Sequence, residues 1–368
     1  MEIRLRRSEL LSELVPMQGI VERKTTIPVL SHLLLSARED RLHLAATDLD
    51  VSLTSSCEAD VKREGGVAVQ AKKLFEIVRS LVADEVQLVL DDPRSLTIRA
   101  GRSRFKIHGL APDDFPTLPV VDDKSAIEIP FADLRRMIGK VLFAVSAEES
   151  RFQLNGALLK LKKGALELVA TDGHRLALVE AGLDGADGAD GDHQVLVPRK
   201  ALQELQRLEG EGNVAYRRGE HHLSFRLGRR ELVCRILEGS FPDYERVIAK
   251  DNDKKAIFER KALVDGVQRV AILTGDRARA VRLQFAPDQL TISTQNPDLG
   301  EAVEELACDY DGPEFRVGMN PDYLASFLSA VETEKVRLEL KDENTQCVGY
   351  PVDGPDARYL CVIMPMRL

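Results

Sequence analysis

The chain has 368 residues, 44% of them hydrophobic and 30% charged, with a formal net charge of −9. That length exceeds what one hydrophobic core normally supports and calls for two or three domains, while the composition excludes a disordered chain. No apolar run approaches the roughly 20 residues needed to cross a bilayer, and Met1-Glu2-Ile3-Arg4-Leu5 lacks the apolar segment of a secretory signal, so a cytoplasmic protein is expected.

Taken in chain order, residues 8–15 carry apolar side chains at helical spacing and open the chain with an amphipathic helix. Leu42-His43-Leu44-Ala45-Ala46-Thr47-Asp48 alternates like a strand and ends in a polar pair. A second helix is expected at Ala71-Lys72-Lys73-Leu74-Phe75-Glu76-Ile77-Val78, then strands over 85–90 and 95–99 about the turn formers Asp91-Asp92-Pro93. Phe115-Pro116 closes this stretch.

The same succession then returns. A helix at 131–138 precedes Leu166-Glu167-Leu168-Val169-Ala170-Thr171-Asp172, a helix begins at Pro198-Arg199-Lys200, and Phe241-Pro242 closes. A third round has a helix at 261–267, Leu290-Thr291-Ile292-Ser293-Thr294-Gln295-Asn296, a helix at Asn320-Pro321-Asp322-Tyr323, and Met364-Pro365. The strand landmark recurs at offsets of 124 and 124, and the helix and proline landmarks drift with it. Three landmarks at one period mark a threefold tandem repeat. Each repeat reads as helix, strands, helix, strands, an α+β layout of antiparallel sheets with helices packed on one side. Domains are expected over 1–122, 126–248 and 253–368, with junctions at 120–125 and 247–255. The Asp/Gly run at 184–192 sits between two strand patterns and reads as a hairpin loop, since it matches no Ca²⁺ loop template.

The acidic total conceals a segregation of charge. The helical stretches 71–82, 131–145 and 260–272 are each +2 and 198–209 is +1, against −2 for 8–20 and 320–332. Solvated helix faces are the plain account. If equivalent helices share one surface, they form a basic track for phosphates that reads no base sequence. No recognition-helix, zinc-finger or aromatic stacking signature accompanies it.

Reaction chemistry finds little support. In Thr171-Asp172-Gly173-His174 an Asp and a His stand two apart, but no Gly-x-Ser-x-Gly supplies a nucleophile and neighbours on one backbone rarely build a triad. Glu220-His221-His222 has no third metal ligand at a suitable spacing. No phosphate-binding glycine motif occurs. The five scattered cysteines, none in a Cys-x-x-Cys pair, read as small buried hydrophobes. No catalytic residue, metal or cofactor is expected.

Lys24-Thr25-Thr26-Ile27-Pro28-Val29-Leu30, Gly101-Arg102-Ser103-Arg104-Phe105, Thr171-Asp172-Gly173-His174-Arg175-Leu176-Ala177, Val197-Pro198-Arg199-Lys200, Phe241-Pro242-Asp243-Tyr244 and the ending Met364-Pro365-Met366-Arg367-Leu368 together resemble the β subunit of bacterial DNA polymerase III. The resemblance spans the whole chain in order. It implies a replicative sliding clamp: a head-to-tail homodimer of three clamp domains, closing as a ring with helices lining the inside and antiparallel sheets outside.

The resemblance also carries over residues. A partner-peptide pocket would comprise Leu154, Thr171, Gly173, His174, Arg175, Leu176, Pro242, Arg246, Val247, Tyr323, Val362, Met364, Pro365, Met366 and Arg367. The dimer interface would involve Arg102, Arg104, Phe105, Ile107, Ile272 and Leu273. DNA-facing candidates are Lys24, Lys72, Lys73, Arg79, Arg136, Lys140 and Arg199, whereas Glu148-Glu149-Ser150 departs from the DNA-facing loop expected there. Implied partners are double-stranded DNA, the polymerase III α subunit, the clamp loader, and other clamp-binding polymerases, ligase and mismatch-repair proteins. A DNA-gripping architectural protein and an Asp172/His174 hydrolase are the rival readings.

Overall fold

Six times along the chain a short strand runs straight into a helix, and three further strands follow. In this computed structural model the described residues are 1–22, 26–122, 126–148, 150–183, 193–275 and 279–367. The first half-repeat is β1 (Glu2–Arg6), α1 (Arg7–Ile20), β2 (His32–Arg38), β3 (Arg41–Thr47) and β4 (Val51–Glu58). An additional strand, β5 (Asp60–Arg63), precedes the second: β6 (Gly65–Gln70), α2 (Ala71–Ser80), β7 (Glu85–Asp92), β8 (Ser95–Ala100) and β9 (Ser103–Leu110).

The third half-repeat is β10 (Ile127–Pro130), α3 (Phe131–Val141), β11 (Gly156–Lys162), β12 (Ala165–Thr171) and β13 (Arg175–Gly182). The fourth is β14 (His193–Pro198), α4 (Arg199–Arg207), β15 (Asn213–Arg218), β16 (His222–Leu227) and β17 (Arg230–Arg235). The fifth is β18 (Lys254–Glu259), α5 (Arg260–Ala271), β19 (Val281–Ala286), β20 (Gln289–Asn296) and β21 (Gly300–Ala307). The sixth is β22 (Phe315–Met319), α6 (Pro321–Ala330), β23 (Lys335–Leu340), β24 (Cys347–Pro351) and β25 (Arg358–Ile363).

The α+β reading and the threefold repeat both stand, with one correction: a strand, not a helix, opens each repeat. In β1 only Ile3 and Leu5 point inward, and in β10 only Ile129 is fully buried. One or two inward residues before a helical pattern are too few to register as alternation.

Those opening strands are exchanged between sister halves. β1 pairs with β7 and β6 with β2. β10 pairs with β15 and β14 with β11, then β18 with β23 and β22 with β19. Every pairing is antiparallel, so each half adds one strand to the other's three-stranded meander. Lateral joins β6–β9, β4–β17 and β13–β25 fuse these four-stranded sheets into sheets of 13, 8 and 4 strands, with β5 added beside β1.

The chain divides into two compact units, Met1–Leu134 with Lys200–Ile236, and Arg135–Arg199 with Leu237–Leu368. In the first, Leu10, Leu14, Met17 and Ile20 of α1 are fully buried and the helix packs on β3 and β4. Glu13 lies on the same face. It accepts hydrogen bonds from the Ser55 hydroxyl and from Arg230 Nε and Nη2, at 2.8 and 2.9 Å for the arginine. Lys200 Nζ on α4 donates to the Ile20 carbonyl at 2.8 Å and to Asp48. These charge-assisted bonds tie the fourth half-repeat to the first beside the β4–β17 join.

In the second unit Lys140, 3% exposed, is held by Asp356 and by Glu332 at 3.1 Å, and the Tyr359 hydroxyl donates to its carbonyl at 3.2 Å. All five cysteines are buried and free, as their scatter in the sequence leads one to expect.

Burial opposes ionisation of Glu13, but the hydrogen bonds of Arg230 and Ser55 outweigh it and hold the carboxyl below the ordinary glutamate range. A depressed acid contributes stability above its unfolded pKa of about 4.3 and loses it as pH falls through the folded value. Arg230→Ala, which strands a buried carboxylate, is expected to cost about 3 kcal/mol at neutral pH in urea unfolding. That deficit should shrink on acidification below about pH 4; a pH-independent deficit would contradict the assignment.

Candidate functional site

The conspicuous sequence Thr171-Asp172-Gly173-His174-Arg175 forms the turn from β12 to β13. Thr171 Oγ1 accepts from the Gly173 N–H at 3.1 Å and donates to the Arg175 carbonyl at 2.7 Å. Asp172 Oδ1 accepts from the N–H groups of His174 and Arg175 at 2.9 and 3.0 Å, and Oδ2 accepts from Arg175 Nε at 3.0 Å. Both oxygens therefore serve the turn itself, an Asx arrangement. Gly173 sits at φ +89°, where a side chain is strained. The His174 ring, exposed, lies near-parallel to Tyr323 with centroids 6.4 Å apart. The geometry builds a turn rather than a catalytic Asp–His pair.

Arg175 is the centre of the site. Its guanidinium stands 4.5 Å from the Tyr323 ring centroid and 5.4 Å from that of Phe143, in cation–π contact with each. Its Nη1 is buried and has no hydrogen-bond partner among the described residues. A planar donor clamped by rings and by Asp172 is pre-oriented for an acceptor brought by a ligand. The neighbouring Tyr323 hydroxyl is pushed up in pKa by burial and then by the Asp172 carboxylate.

The chain end is stitched beside this turn. β13 pairs with β25 in the register Leu176↔Val362 and Arg175↔Ile363. Beyond β25 the Met364 N–H donates to the His174 carbonyl at 2.9 Å, and Met366 N–H to the Gly318 carbonyl at 2.8 Å. Met364, Pro365 and Met366 stay half-exposed and Arg367 exposed.

Beneath lies an apolar cluster that includes Leu158, Leu176, Leu178, Tyr244, Leu360 and Val362, with Phe241 and Val247 packed against it. Leu154 is buried in a 3₁₀ turn that Arg151 links to the Asp172 carbonyl at 2.9 Å. Pro242 and Arg246 are exposed, and Arg246 pairs with Asp243 at 2.6 Å. Thr171, His174, Arg175, Leu176, Tyr323, Val362 and Met364 are thus brought together, with Met366 next along the tail. Phe143, Arg151 and Asp172 complete the site. Phe143 and Arg151 carry no sequence signal, since only the fold brings them here, and Asp172, which the sequence offered as a catalytic partner of His174, instead serves the turn.

The basic candidates fare unequally. Lys72, Lys73 and Arg79 of α2 are exposed, the lysines 3.9 and 2.9 Å from Glu76. Arg199 is half-buried. Lys140 is corrected: it is buried against Asp356 and presents no charge to a ligand, and Arg136 pairs with the same carboxylate. Lys24, Glu149 and the 184–192 loop lie outside the described residues.

Two sheet edges stand out. Among the described residues β9 meets β6 only at Ala68↔Leu110 and Val69↔Gly109, so Arg102, Arg104, Phe105 and Ile107 border a largely unpaired stretch. β21 ends its sheet, with Val303 exposed; Ile272, just after α5, is 75% exposed, and Leu273 is half-buried.

Three family models cover the chain in sequence. Residues 1–119, 128–243 and 245–367 match the N-terminal, central and C-terminal domains of the DNA polymerase III beta subunit. Beta sliding clamps of Pseudomonas putida and Caulobacter vibrioides are each 38% identical, with full coverage of both chains. Among solved structures, a sliding clamp from Pseudomonas aeruginosa bound to griselimycin is similar at 36% identity, TM-score 0.93 and full coverage. One from Bacillus subtilis is similar at 26% identity and TM-score 0.93, covering 100% of this chain and 99% of that one.

A Cβ at residue 173 would meet Arg151 Nη1 at 2.8 Å, which that flexible side chain can relieve, whereas the left-handed backbone cannot relax. Gly173→Ala should therefore cost about 1 kcal/mol, read as a drop in Tm of a few degrees or less. An unchanged or raised Tm would contradict it.

Proposed function

Since the chain belongs to the family of bacterial DNA polymerase III β subunits and is a DNA sliding clamp, without a catalytic role of its own, we propose how its residues serve that function. Two copies associate head to tail into a ring around duplex DNA, built from clamp domains 1–122, 126–248 and 253–368. The residues about Arg175 receive short linear motifs of its partners: the polymerase III α subunit, the clamp loader, other clamp-binding polymerases, ligase and mismatch-repair proteins. The protein works in the cytoplasm.

The observation that carries the peptide site is the Arg175 guanidinium, in cation–π contact with Tyr323 and Phe143, its Nη1 without a partner among the described residues and apolar Leu176 and Val362 alongside. A peptide supplies both what the guanidinium lacks, a carbonyl or carboxylate, and apolar side chains for the cleft. Methionines 364 and 366 adapt such a wall to several sequences.

Charge supports the head-to-tail arrangement. β9 carries Arg104 and Lys106 with Arg102 beside it, whereas β21 carries Glu301, Glu304 and Glu305. Two copies of either edge repel, and unlike edges attract. Ile272 and Leu273 supply apolar contact, and an interface of this heterologous kind closes only if its rotation does.

Holding by topology removes any need for tight DNA contact. Lys72, Lys73, Arg79 and Arg199 meet phosphates through screened, sequence-blind attraction, which permits sliding. The acidic body discourages DNA from binding elsewhere, and tethering raises the polymerase's effective concentration at the primer end.

Protein loaded on nicked circular DNA should dissociate rapidly when the circle is linearised; retention would favour an architectural protein that grips without encircling. His174→Ala and Met364→Ala are each expected to weaken a clamp-binding peptide by about tenfold, or 1.4 kcal/mol, in fluorescence anisotropy, with the dimer intact. Unaltered affinity would move the peptide site elsewhere. Ile272→Asp should shift the dimer to monomer in light scattering at micromolar concentration.

A further inference from the structure

A buried ion cluster in the second repeat has a counterpart in the first from which the anions are gone. Lys160, Glu167 and Glu180 are in-register neighbours on β11, β12 and β13. Lys162 Nζ donates to both Glu167 and Glu180 at 2.8 Å, and the Tyr244 hydroxyl donates to Glu167 at 2.6 Å. Arg358, cross-strand from Glu180, pairs with Glu245 at 2.9 Å. Three carboxylates thus answer the local cations, and the side chain of Glu167 is wholly buried.

In the first repeat the matching in-register neighbours are Ser36, His43 and Ser56 on β2, β3 and β4. Arg38 stands where Lys162 does. Continuing the Thr54↔Glu231 register by two residues places Arg229 opposite Ser56, the position of Arg358. Aligning Phe115-Pro116 with Phe241-Pro242 puts Leu118 at Tyr244 and Pro119 at Glu245. A cation persists at the Lys162 and Arg358 positions, as Arg38 and Arg229, while Lys160 has become Ser36 and Glu167, Glu180 and Glu245 have become His43, Ser56 and Pro119.

A cleft of about 430 Å³ lies among these residues, lined by Ser36, Arg38, His43, Ser56 and Arg229 with Leu34 and Leu118 as apolar walls, and none of its lining residues is acidic. His43 Nε2 is buried and has no hydrogen-bond partner among the described residues. Arg41 donates through Nε and Nη2 to Ser56 Oγ at 3.2 and 3.1 Å, which leaves that hydroxyl its own hydrogen to give. Burial, then the charges of Arg38 and Arg41, lower the His43 pKa, and Glu39 opposes them only in part.

We propose that this cleft binds an oxyanion, a phosphate carried by a small molecule, in the place that Glu167 and Glu180 fill in the second repeat. Arginine forks suit such oxygens bidentately. His43 Nε2 and the Ser56 hydroxyl complete the donor set. The volume exceeds a bare phosphate and leaves the Leu34–Leu118 wall for an organic body.

The test is calorimetric titration of the full-length protein with inorganic phosphate and with 5′-AMP at constant ionic strength. One saturable site per chain is expected, with a Kd on the order of 1 mM or tighter. Tighter 5′-AMP binding assigns part of the recognition to the apolar wall; equal affinities assign it to the phosphate alone. The exposed pair Arg38→Ser with Arg229→Ser should weaken binding at least tenfold, a change of about 1.4 kcal/mol. His43→Glu, which restores the internal carboxylate, should abolish binding without lowering Tm. The proposal falls if neither probe saturates, or if the double arginine variant, whose sites are on the surface and whose fold is checked by Tm, binds like the wild type.

Discussion

A strand that opens each half-repeat cannot be satisfied by the helix it feeds, and it is this open edge that organises the protein. β1 pairs with β7 and β6 with β2, and the same exchange recurs in the other two repeats. Each sister half therefore completes the other's sheet, and neither has a full set of backbone hydrogen bonds alone. Some of the remaining edges meet laterally, at β6–β9, β4–β17 and β13–β25. Six similar pieces become three sheets because hydrogen-bonding groups at an edge are costly to leave unpaired in a folded interior.

The site is a product of one such join. Pairing β13 with β25 sets the Thr171–Leu176 turn beside the tail, so the Met364 N–H reaches the His174 carbonyl. Asp172 serves the turn through Oδ1 and pairs with Arg175 Nε through Oδ2, while the Tyr323 ring lies against the guanidinium. In the proposed peptide site, a rigid backbone and a locked guanidinium leave the ordering cost to fall on the ligand. The adjoining methionines contribute the opposite property, tolerance.

Much of this was legible in the residues. Thr47-Asp48 and Thr171-Asp172 mark turns at one period because an Asx turn needs that chemistry, and Phe115-Pro116 and Phe241-Pro242 mark the ends of repeats. What escaped was whatever joins distant positions. The resemblance places Arg175 and Tyr323 in one pocket, but no periodicity links Phe143 to either. The helix charge count at 131–145 treated Arg136 and Lys140 as surface groups, but their partner Asp356 lies some 220 residues on. Opening strands vanished for another reason: Ile3 and Leu5 are inward positions that a helix start can equally claim. Charge on a helix becomes a statement about ligands only after the interior partners have been subtracted.

The five cysteines carry a consequence of a different kind. Burial pushes the thiol of Cys57 up to about 12 and that of Cys308 to about 11, and raises Cys234, Cys347 and Cys361 further. At neutral pH the nucleophilic thiolate is almost absent while the fold persists. For Cys57, Cys234, Cys347 and Cys361, which lie within strands, oxidants and alkylating reagents therefore meet reactive sulfur only when a sheet opens, whereas Cys308 lies just beyond β21. Cys57 and Cys234 belong to one compact unit and Cys308, Cys347 and Cys361 to the other. The order in which these sulfurs become modified is a clock of local unfolding, wound separately in each half of the molecule.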